Sequence, residues 1–358
     1  MTNQMIGTSL NLDAEVAELA VPGYWFTDPK IFAQERERIW YKNWQFVGRE
    51  EQLANPGDYL SCTIGDEPIL LTRTSSGKLR AMYNVCPHRG MRIVEGQGNC
   101  KRLQCPYHGW IYNLEGQLQA VTYPESFPDL DKSAIALPKV QVDSWCGFIF
   151  VNLDPEARPL SEFLAGVPQH LEQYSQPWEA LRIANKLTYQ VPYNWKILLE
   201  NYIDVYHIPM VHPQTIAPDV QLPGFVSSSL SGIHLLQKYD YSVPTEPTYI
   251  AWLFPNTTIL TLENFVLVWQ VNPINPELTI IEKFFCQSPE QMEKFPLKIE
   301  RETPLQFAKV FDEDTYVNTI MQQQVKSRAY KPIQPLAQGT EYGIFYFRKT
   351  LIEAMKLT

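Results

Sequence analysis

The residues with the most chemistry in this chain are two cysteines and two histidines in two short runs, Cys86-Pro87-His88 and Cys105-Pro106-Tyr107-His108. Each run offers one thiolate and one imidazole. Thiolates can hold one iron of a [2Fe–2S] cluster while neutral imidazoles hold the other. That exchange raises the reduction potential above that of an all-cysteine cluster. The same four residues also make a Cys2His2 zinc set, but zinc fingers group cysteine with cysteine and histidine with histidine. Here each run mixes the two. Gly90 and Gly109 close behind the histidines permit tight loops whose N–H groups can point at sulfur. An electron-carrying cluster is the stronger reading, and structural zinc the alternative.

A second set lies in the segment 200–213. The chain has 6 histidines, and two of them, His207 and His212, stand here five apart. Mononuclear non-heme iron is held by two histidines and one carboxylate, with positions left open for dioxygen and substrate. Five residues on an ideal helix is about 140° of rotation, so one straight helix would not aim both rings at one ion. Pro209 disfavours helical geometry at Ile208, which predicts a helix ending near His207 and His212 arriving from the next turn. Asp204, three residues before His207, falls on the same face of that helix. The plain alternative is a helix end with two incidental histidines.

These sets need elements to position them. A helix is expected over Asp28–Trp44. Short β runs then follow at 44–47, 59–64, 68–73, 79–84 and 147–152, broken by Pro56-Gly57 and Ser75-Ser76-Gly77. Both Cys/His runs sit among them, so a small β domain is placed at 42–156. Residues 1–41 and 157–358 make the second domain. It carries helical signal at 160–174 and 195–206, strands at 252–254, 257–262, 265–271 and 278–285, and a long helix over 303–327.

Cys-Pro-His-Arg-Gly with Cys-Pro-Tyr-His-Gly-Trp resembles the large subunit of Rieske non-heme iron oxygenases. It resembles the respiratory Rieske protein less: that family adds a disulfide-forming cysteine to each loop, where this chain has Met91 and Tyr107. Asp204-x-x-His207-x-x-x-x-His212 resembles the iron motif of the same oxygenases, and Tyr206-His207 resembles the choline- and betaine-type members. The resemblance implies an α+β chain with an all-β Rieske domain. The catalytic domain would be of the helix-grip (START-like) type, with an antiparallel sheet and a long C-terminal helix. It also implies that Cys86, His88, Cys105 and His108 hold the cluster, and that His207, His212 and a carboxylate from the C-terminal helix hold Fe(II). Asp314 is the chosen carboxylate, since Gln322 stands eight residues beyond it as in the family, and Asp312 is the reserve. Asp204 would bridge His207 to His108 of a neighbouring subunit in a head-to-tail homotrimer. A partner reductase, with or without a ferredoxin, would bring electrons from NAD(P)H, because no Gly-x-Gly-x-x-Gly occurs here.

Composition narrows the rest. The chain has 358 residues, 45% hydrophobic, with net charge −9. That suits two packed domains, and the lack of a basic stripe argues against nucleic acid. No apolar run is long enough for a membrane span, and the N-terminus lacks signal-peptide character. Cys62, Cys100, Cys146 and Cys286 read as free thiols in a reducing cytoplasm. Trp252, Phe254, Phe265, Trp269 and Phe285 could line a pocket for an arene or a quaternary ammonium, although alternating strand aromatics are more often core. His170 and His234 fit no motif. A pure electron carrier is the competing function.

Overall fold

The computed structural model describes residues 20–174, 176–222, 224–242, 246–297, 305–332, 336–337 and 339–356, with side chains of the helix that starts at Leu305 described from Ala308. The described residues divide into two compact units, Trp40–Glu162 and the remainder on either side. Within them, no helix is long and apolar enough to cross a membrane. The fold is α+β.

The Trp40–Glu162 unit is built from strands β1 (Gln45–Arg49), β2 (Asp58–Ile64), β3 (Glu67–Arg73), β4 (Leu79–Tyr83), β5 (Gln97–Asn99), β6 (Leu103–Gln104), β7 (Ile111–Tyr112), β8 (Leu118–Ala120), β9 (Lys139–Trp145) and β10 (Phe148–Asn152). Seven form one sheet in the order β1-β10-β9-β4-β3-β2-β5, and β6-β7-β8 form a second. The Cys/His runs are the β4–β5 and β6–β7 connections, and they are near copies of each other. Cys86 N–H donates to Met91 O at 2.8 Å and Gly90 N–H to Cys86 O at 2.9 Å; Cys105 N–H donates to Trp110 O at 2.8 Å and Gly109 N–H to Cys105 O at 3.0 Å. Each turn closes on a glycine in the left-handed region, Gly90 at φ 74° and Gly109 at φ 69°, where a Cβ would be strained. Beneath them pack Leu70, Met82, Ile93, Leu103, Leu114, Leu118 and Leu137, each fully buried leucine contributing about 1.5–3 kcal/mol.

The other unit carries a seven-stranded antiparallel sheet, β11-β17-β16-β15-β14-β13-β12. Its strands are β11 (Arg182–Val191), β12 (Val226–Ser231), β13 (His234–Tyr239), β14 (Thr248–Leu253), β15 (Thr257–Leu262), β16 (Phe265–Asn275) and β17 (Leu278–Gln287). The helices that matter for function are α1 (Pro29–Glu35), α2 (Trp195–Ile203), α3 (Ile208–Val211), α4 (Leu305–Gln324) and α5 (Tyr342–Lys356). Asn194 caps α2 by accepting from Lys196 N–H. Buried Lys196 reaches Glu35 of α1 at 2.5 Å, and Trp195 Nε1 donates to the same carboxylate at 2.8 Å. Arg348 of α5 forks onto Glu200 of α2 at 2.8 and 2.7 Å. At Gly343, α5 approaches so closely that a Cβ would lie 2.6 Å from Ile203 O. Gln322 of α4 accepts from Asn194 N–H at 2.8 Å and donates to Phe26 O at 3.2 Å. The residue eight past Asp314 is therefore an anchor between α4 and the start of α2.

Several elements depart from expectation. The expected 28–44 helix is α1 followed by a π-helical turn, Arg36–Trp40. The expected 160–174 helix is two short helices, Leu160–Phe163 and Val167–Leu171, because Gly166 takes φ 83°. The helix expected to end near His207 stops at Ile203. Asp204 leaves it with ψ 138° as the C-cap, and its carboxylate accepts from Tyr206 N–H at 2.6 Å. A local side-chain bond to the backbone outcompetes the next helical turn. Pro209 lies in the first turn of α3, where its missing N–H matters least. The expected start of α4 at Thr303 lies outside the described residues.

Candidate metal centres

In the first unit the two loops bring their four ligand-type side chains together. His88 Nδ1 and His108 Nδ1 stand 3.1 Å apart. Cys86 and Cys105 are buried, and burial, with Cys105 beside it, pushes the Cys86 thiol up. Tyr112 Oη lies 3.1 Å from Cys86 Sγ; against a thiolate, the phenol is the donor. Burial, then His108 and Arg89, hold His88 below its ordinary range, which favours the neutral ring that binds metal. Trp110 stacks on His88 at 4.7 Å. Two buried thiols and two converging Nδ1 atoms suit the mixed ligand demand of a [2Fe–2S] cluster. The sequence reading had not assigned Tyr112 or Trp110. Trp110 was visible beside the motif, but Tyr112 needed the hairpin that folds it back.

The second unit gathers His207, His212 and Asp314. His207 Nε2 is 3.2 Å from His212 Nε2 and 3.5 Å from Asp314 Oδ1. His212 Nε2 is 3.0 Å from that same oxygen. His207 is the N-cap residue of α3 and His212 its C-cap, so one helical turn carries both rings inward. Each ring is held from behind. His207 Nδ1 donates to Asp204 Oδ2 at 2.9 Å, and His212 Nδ1 to Glu313 Oε2 at 2.8 Å. Thr215 Oγ1 donates to the same Glu313 oxygen at 2.8 Å. With Nδ1 protonated, both Nε2 lone pairs face one point, the arrangement that orients metal-binding imidazoles. Asn201 Nδ2 donates to Asp314 Oδ1 at 3.1 Å, and Asn318 Nδ2 to Asn201 Oδ1 at 3.2 Å. Burial opposes charge on His207, but Asp204 and Asp314 raise it to about 9. Burial likewise opposes charge on Asp314, and the two histidines hold it low. Such a concentration of opposed charges around two imidazoles suits a divalent cation. Glu313 and Asn201 stood in the sequence without roles. A helix gives no direction to one acid of a triplet until its partner ring is placed.

A Rieske [2Fe-2S] domain matches residues 43–139, and the catalytic domain of ring-hydroxylating alpha subunits matches 178–244 and 238–357. The carnitine monooxygenase oxygenase subunit of Escherichia coli (strain K12) is 30% identical over 356 residues, covering 94% of each chain. This chain belongs to the Rieske oxygenases, alpha-subunit family. The chloroplastic choline monooxygenase of Atriplex hortensis is 32% identical over 199 residues, 54% of this chain and 45% of that one. A crystal structure of the quaternary ammonium Rieske monooxygenase CntA with L-carnitine superposes with TM-score 0.82 at 27% identity, over 95% of this chain and 98% of that one. Naphthalene 1,2-dioxygenase shares the fold, at TM-score 0.80 and 20% identity, over 93% and 91%.

As a Rieske oxygenase the chain is a terminal oxygenase, an oxidoreductase that uses a Rieske cluster and a mononuclear iron, not an electron carrier alone. His207, His212 and Asp314 open onto a cavity of about 150 Å³, room for a small molecule only. Tyr202, Phe225, Tyr239, Tyr241, Trp269 and Phe311 supply its rings. Of the five strand aromatics considered from sequence, Trp269 alone is among the lining residues. Phe265 and Phe285 pack on each other, and Trp252 packs on Phe254 and Phe347. Lys283 Nζ lies over the Trp269 and Phe311 rings; burial pulls its amine down to about 7 against the pull of Asp314 and Asp312. His170 and His234 are structural, tied to backbone carbonyls of Gln237, Ile250 and Phe163.

Proposed function

We propose that this oxygenase oxidises a small methylated quaternary ammonium compound, as a monooxygenase or demethylase. Cys86, His88, Cys105 and His108 hold the Rieske cluster. His207, His212 and Asp314 hold the iron. The observation that carries the reading is the aromatic, carboxylate-edged cavity onto which the His207–His212–Asp314 set opens. Rings attract an alkylated cation through their faces, and Asp204 and Asp314 add negative charge. The likeness to a carnitine monooxygenase subunit along nearly the whole chain supports the same substrate class.

When bound, the iron supplies the site where dioxygen is activated with electrons from the cluster. The chain's own residues prepare that site. Asp204 and Glu313 keep the Nδ1 protons of His207 and His212 in place and turn both Nε2 atoms inward. Asn201 holds the Asp314 carboxylate. Ile250, Leu260, Leu262, Leu267 and Val310 keep the cavity apolar and poor in water.

Residues 42–156 are assigned to the cluster domain, and 1–41 with 157–358 to oxygen activation. The compact Trp40–Glu162 unit supports that division. The working form is a head-to-tail homotrimer, with Asp204 linking His207 to the His108 of a neighbouring subunit. Inter-subunit electron transfer is described for the quaternary ammonium Rieske monooxygenase CntA. An NAD(P)H-dependent reductase, with or without a ferredoxin, delivers the electrons, and the cytoplasm is the compartment proposed.

Substrate-dependent oxygen uptake tests the substrate class. The reconstituted enzyme is given a surrogate reductase and offered carnitine, choline or naphthalene. Consumption coupled to a methylammonium compound is expected. Coupling to naphthalene alone would overturn the substrate class.

A further inference from the structure

Asp314, Asn318 and Gln322 follow one another at four-residue steps on α4 and so share one face of it. That face meets α2. Asp314 and Asn318 bond to Asn201, and Gln322 bonds to the N-cap residue Asn194. Asn318 and Gln322 are 0% and 2% exposed. A face buried this deeply against another helix is ordinarily apolar. Gln322 is explained by the anchor it makes. Asn318, between the anchor and the metal-ligand carboxylate, touches neither histidine of the metal set.

The direction of each bond in this line is forced. An ionised carboxylate only accepts, so Asn201 must turn its Nδ2 to Asp314 Oδ1, at 3.1 Å. Asn201 Oδ1 then points away and accepts from Asn318 Nδ2 at 3.2 Å. Were the Asn201 amide to turn over, its oxygen would face the carboxylate and two acceptors would meet. Asn318 prevents this at a cost to itself. Its own Oδ1 is buried without a partner, which is rare for a buried acceptor. Turning the Asn318 amide over would set that oxygen against Asn201 Oδ1. On its other side Asn318 reaches the Tyr193 hydroxyl, which meets Thr315 Oγ1 at 3.3 Å, so the line is braced from behind. At its front end the oxygen that Asn201 holds is the one facing the histidines. Asp314 Oδ1 lies 3.0 Å from His212 Nε2 and 3.5 Å from His207 Nε2.

We propose that Asn318 is a positioning residue for the mononuclear iron: it fixes the amide of Asn201, and through that amide the rotation of the Asp314 carboxylate that presents Oδ1 to the metal. The proposal rests on His207, His212 and Asp314 as the iron set. It is independent of the substrate. Because Asn318 reaches the carboxylate only through Asn201, its effect on the metal must vanish when the Asn201 amide is gone.

A double-mutant cycle on iron affinity tests this, read by chelator competition for ferrous iron on the full chain with its cluster loaded. Asn318→Leu keeps the volume and removes the donor. It is expected to weaken iron binding by about 10–100-fold while the cluster absorption stays as in wild type. Asn201→Ala is expected to weaken it at least as much, and the double variant no further than Asn201→Ala alone. The ferrous nitrosyl adduct gives a second reading. Its electron paramagnetic resonance signal should change in Asn318→Leu and match that of Asn201→Ala, which a packing defect away from the metal would not produce. Wild-type affinity in Asn318→Leu, an unchanged nitrosyl signal, or losses that multiply in the double variant would each overturn the role. Should Asn318→Leu lack its cluster colour, Asn318→Ser takes its place in the same cycle, its hydroxyl too short to reach Asn201. Asp314→Ala separates the proposal from its premise: iron binding as in wild type there would overturn the metal set itself, and the role of Asn318 with it.

Discussion

Both oxygens of Asp204 are engaged within the chain, one by Tyr206 N–H and one by His207 Nδ1. A carboxylate oxygen accepts two bonds, so each still has a lone pair for an imidazole from outside. Asp204→Asn keeps the shape but places an amide donor where an acceptor is needed. The variant should retain three irons per chain and lose turnover by about 10–100-fold or more, the usual range for such supporting residues; single-turnover rates from the reduced enzyme would show it. Glu313→Gln should act differently. It loosens His212, so iron affinity should fall by about 10–100-fold while the visible spectrum of the cluster stays unchanged. Metal titration followed by chelator challenge measures this. The ligand-type residues were legible because their types and spacings are local in sequence: Cys86/His88, Cys105/His108 and His207/His212. Glu313, Asn201 and Lys283 were not. Their meaning comes from what faces them across the fold, and an acid on a helix or a lysine among strand aromatics has no address until the partner element is placed.

At the scale of elements, the strands β1, β2, β3, β4, β10, β15, β16 and β17 were readable as short β-rich runs between turn signals, several of them apolar almost throughout. The misses were of two kinds: helix ends, and whole elements such as β9, β11, β12, β13 and α5. The end of α2 was placed too late because periodicity continues past Ile203 while Asp204 has already turned away. The strands β12 and β13 were missed because Ser227, Ser228 and Ser229 hide the pattern and because β13 buries polar residues. One of these is His234. Its Nε2–H donates to Phe163 O at 2.6 Å, and its Nδ1 accepts from Phe254 N–H at 3.2 Å. Only the neutral ring can do both. Burial accordingly holds His234 down at about 4 from an ordinary 6.5. As pH falls below 6.5 the unfolded chain takes up a proton that the folded chain refuses. The stability from neutral His234 is therefore complete above 6.5 and is lost as pH falls through 4, in all about 3 kcal/mol. Urea midpoints should drop over that window in wild type. In His234→Gln that part of the pH dependence should vanish; an identical slope in the variant would exclude the ring as its source.

At the scale of the whole molecule, the two centres must work in series, and the proposed homotrimer places them on different chains. Co-expression tests this directly. A chain with Cys105→Ser lacks a complete cluster set, and a chain with His207→Ala lacks a complete iron set. Each alone should be inactive, and mixed oligomers should regain part of the wild-type rate. No recovery in verified mixed oligomers would return electron transfer to a single chain. A last consequence follows from the contact between α5 and α2 at Gly343. That position has no side chain beyond a hydrogen and no place in any motif, yet that hydrogen sets how near α5 comes to Ile203, where α2 ends and the Asp204 turn begins. Gly343→Ala would push a methyl group into a main-chain oxygen, and the turn bearing Asp204 and His207 would have to move. A library of random variants screened for oxygen uptake should therefore return inactive clones at 343 with intact cluster colour. The tolerance of this enzyme to mutational drift is set as firmly by that hydrogen as by its histidines.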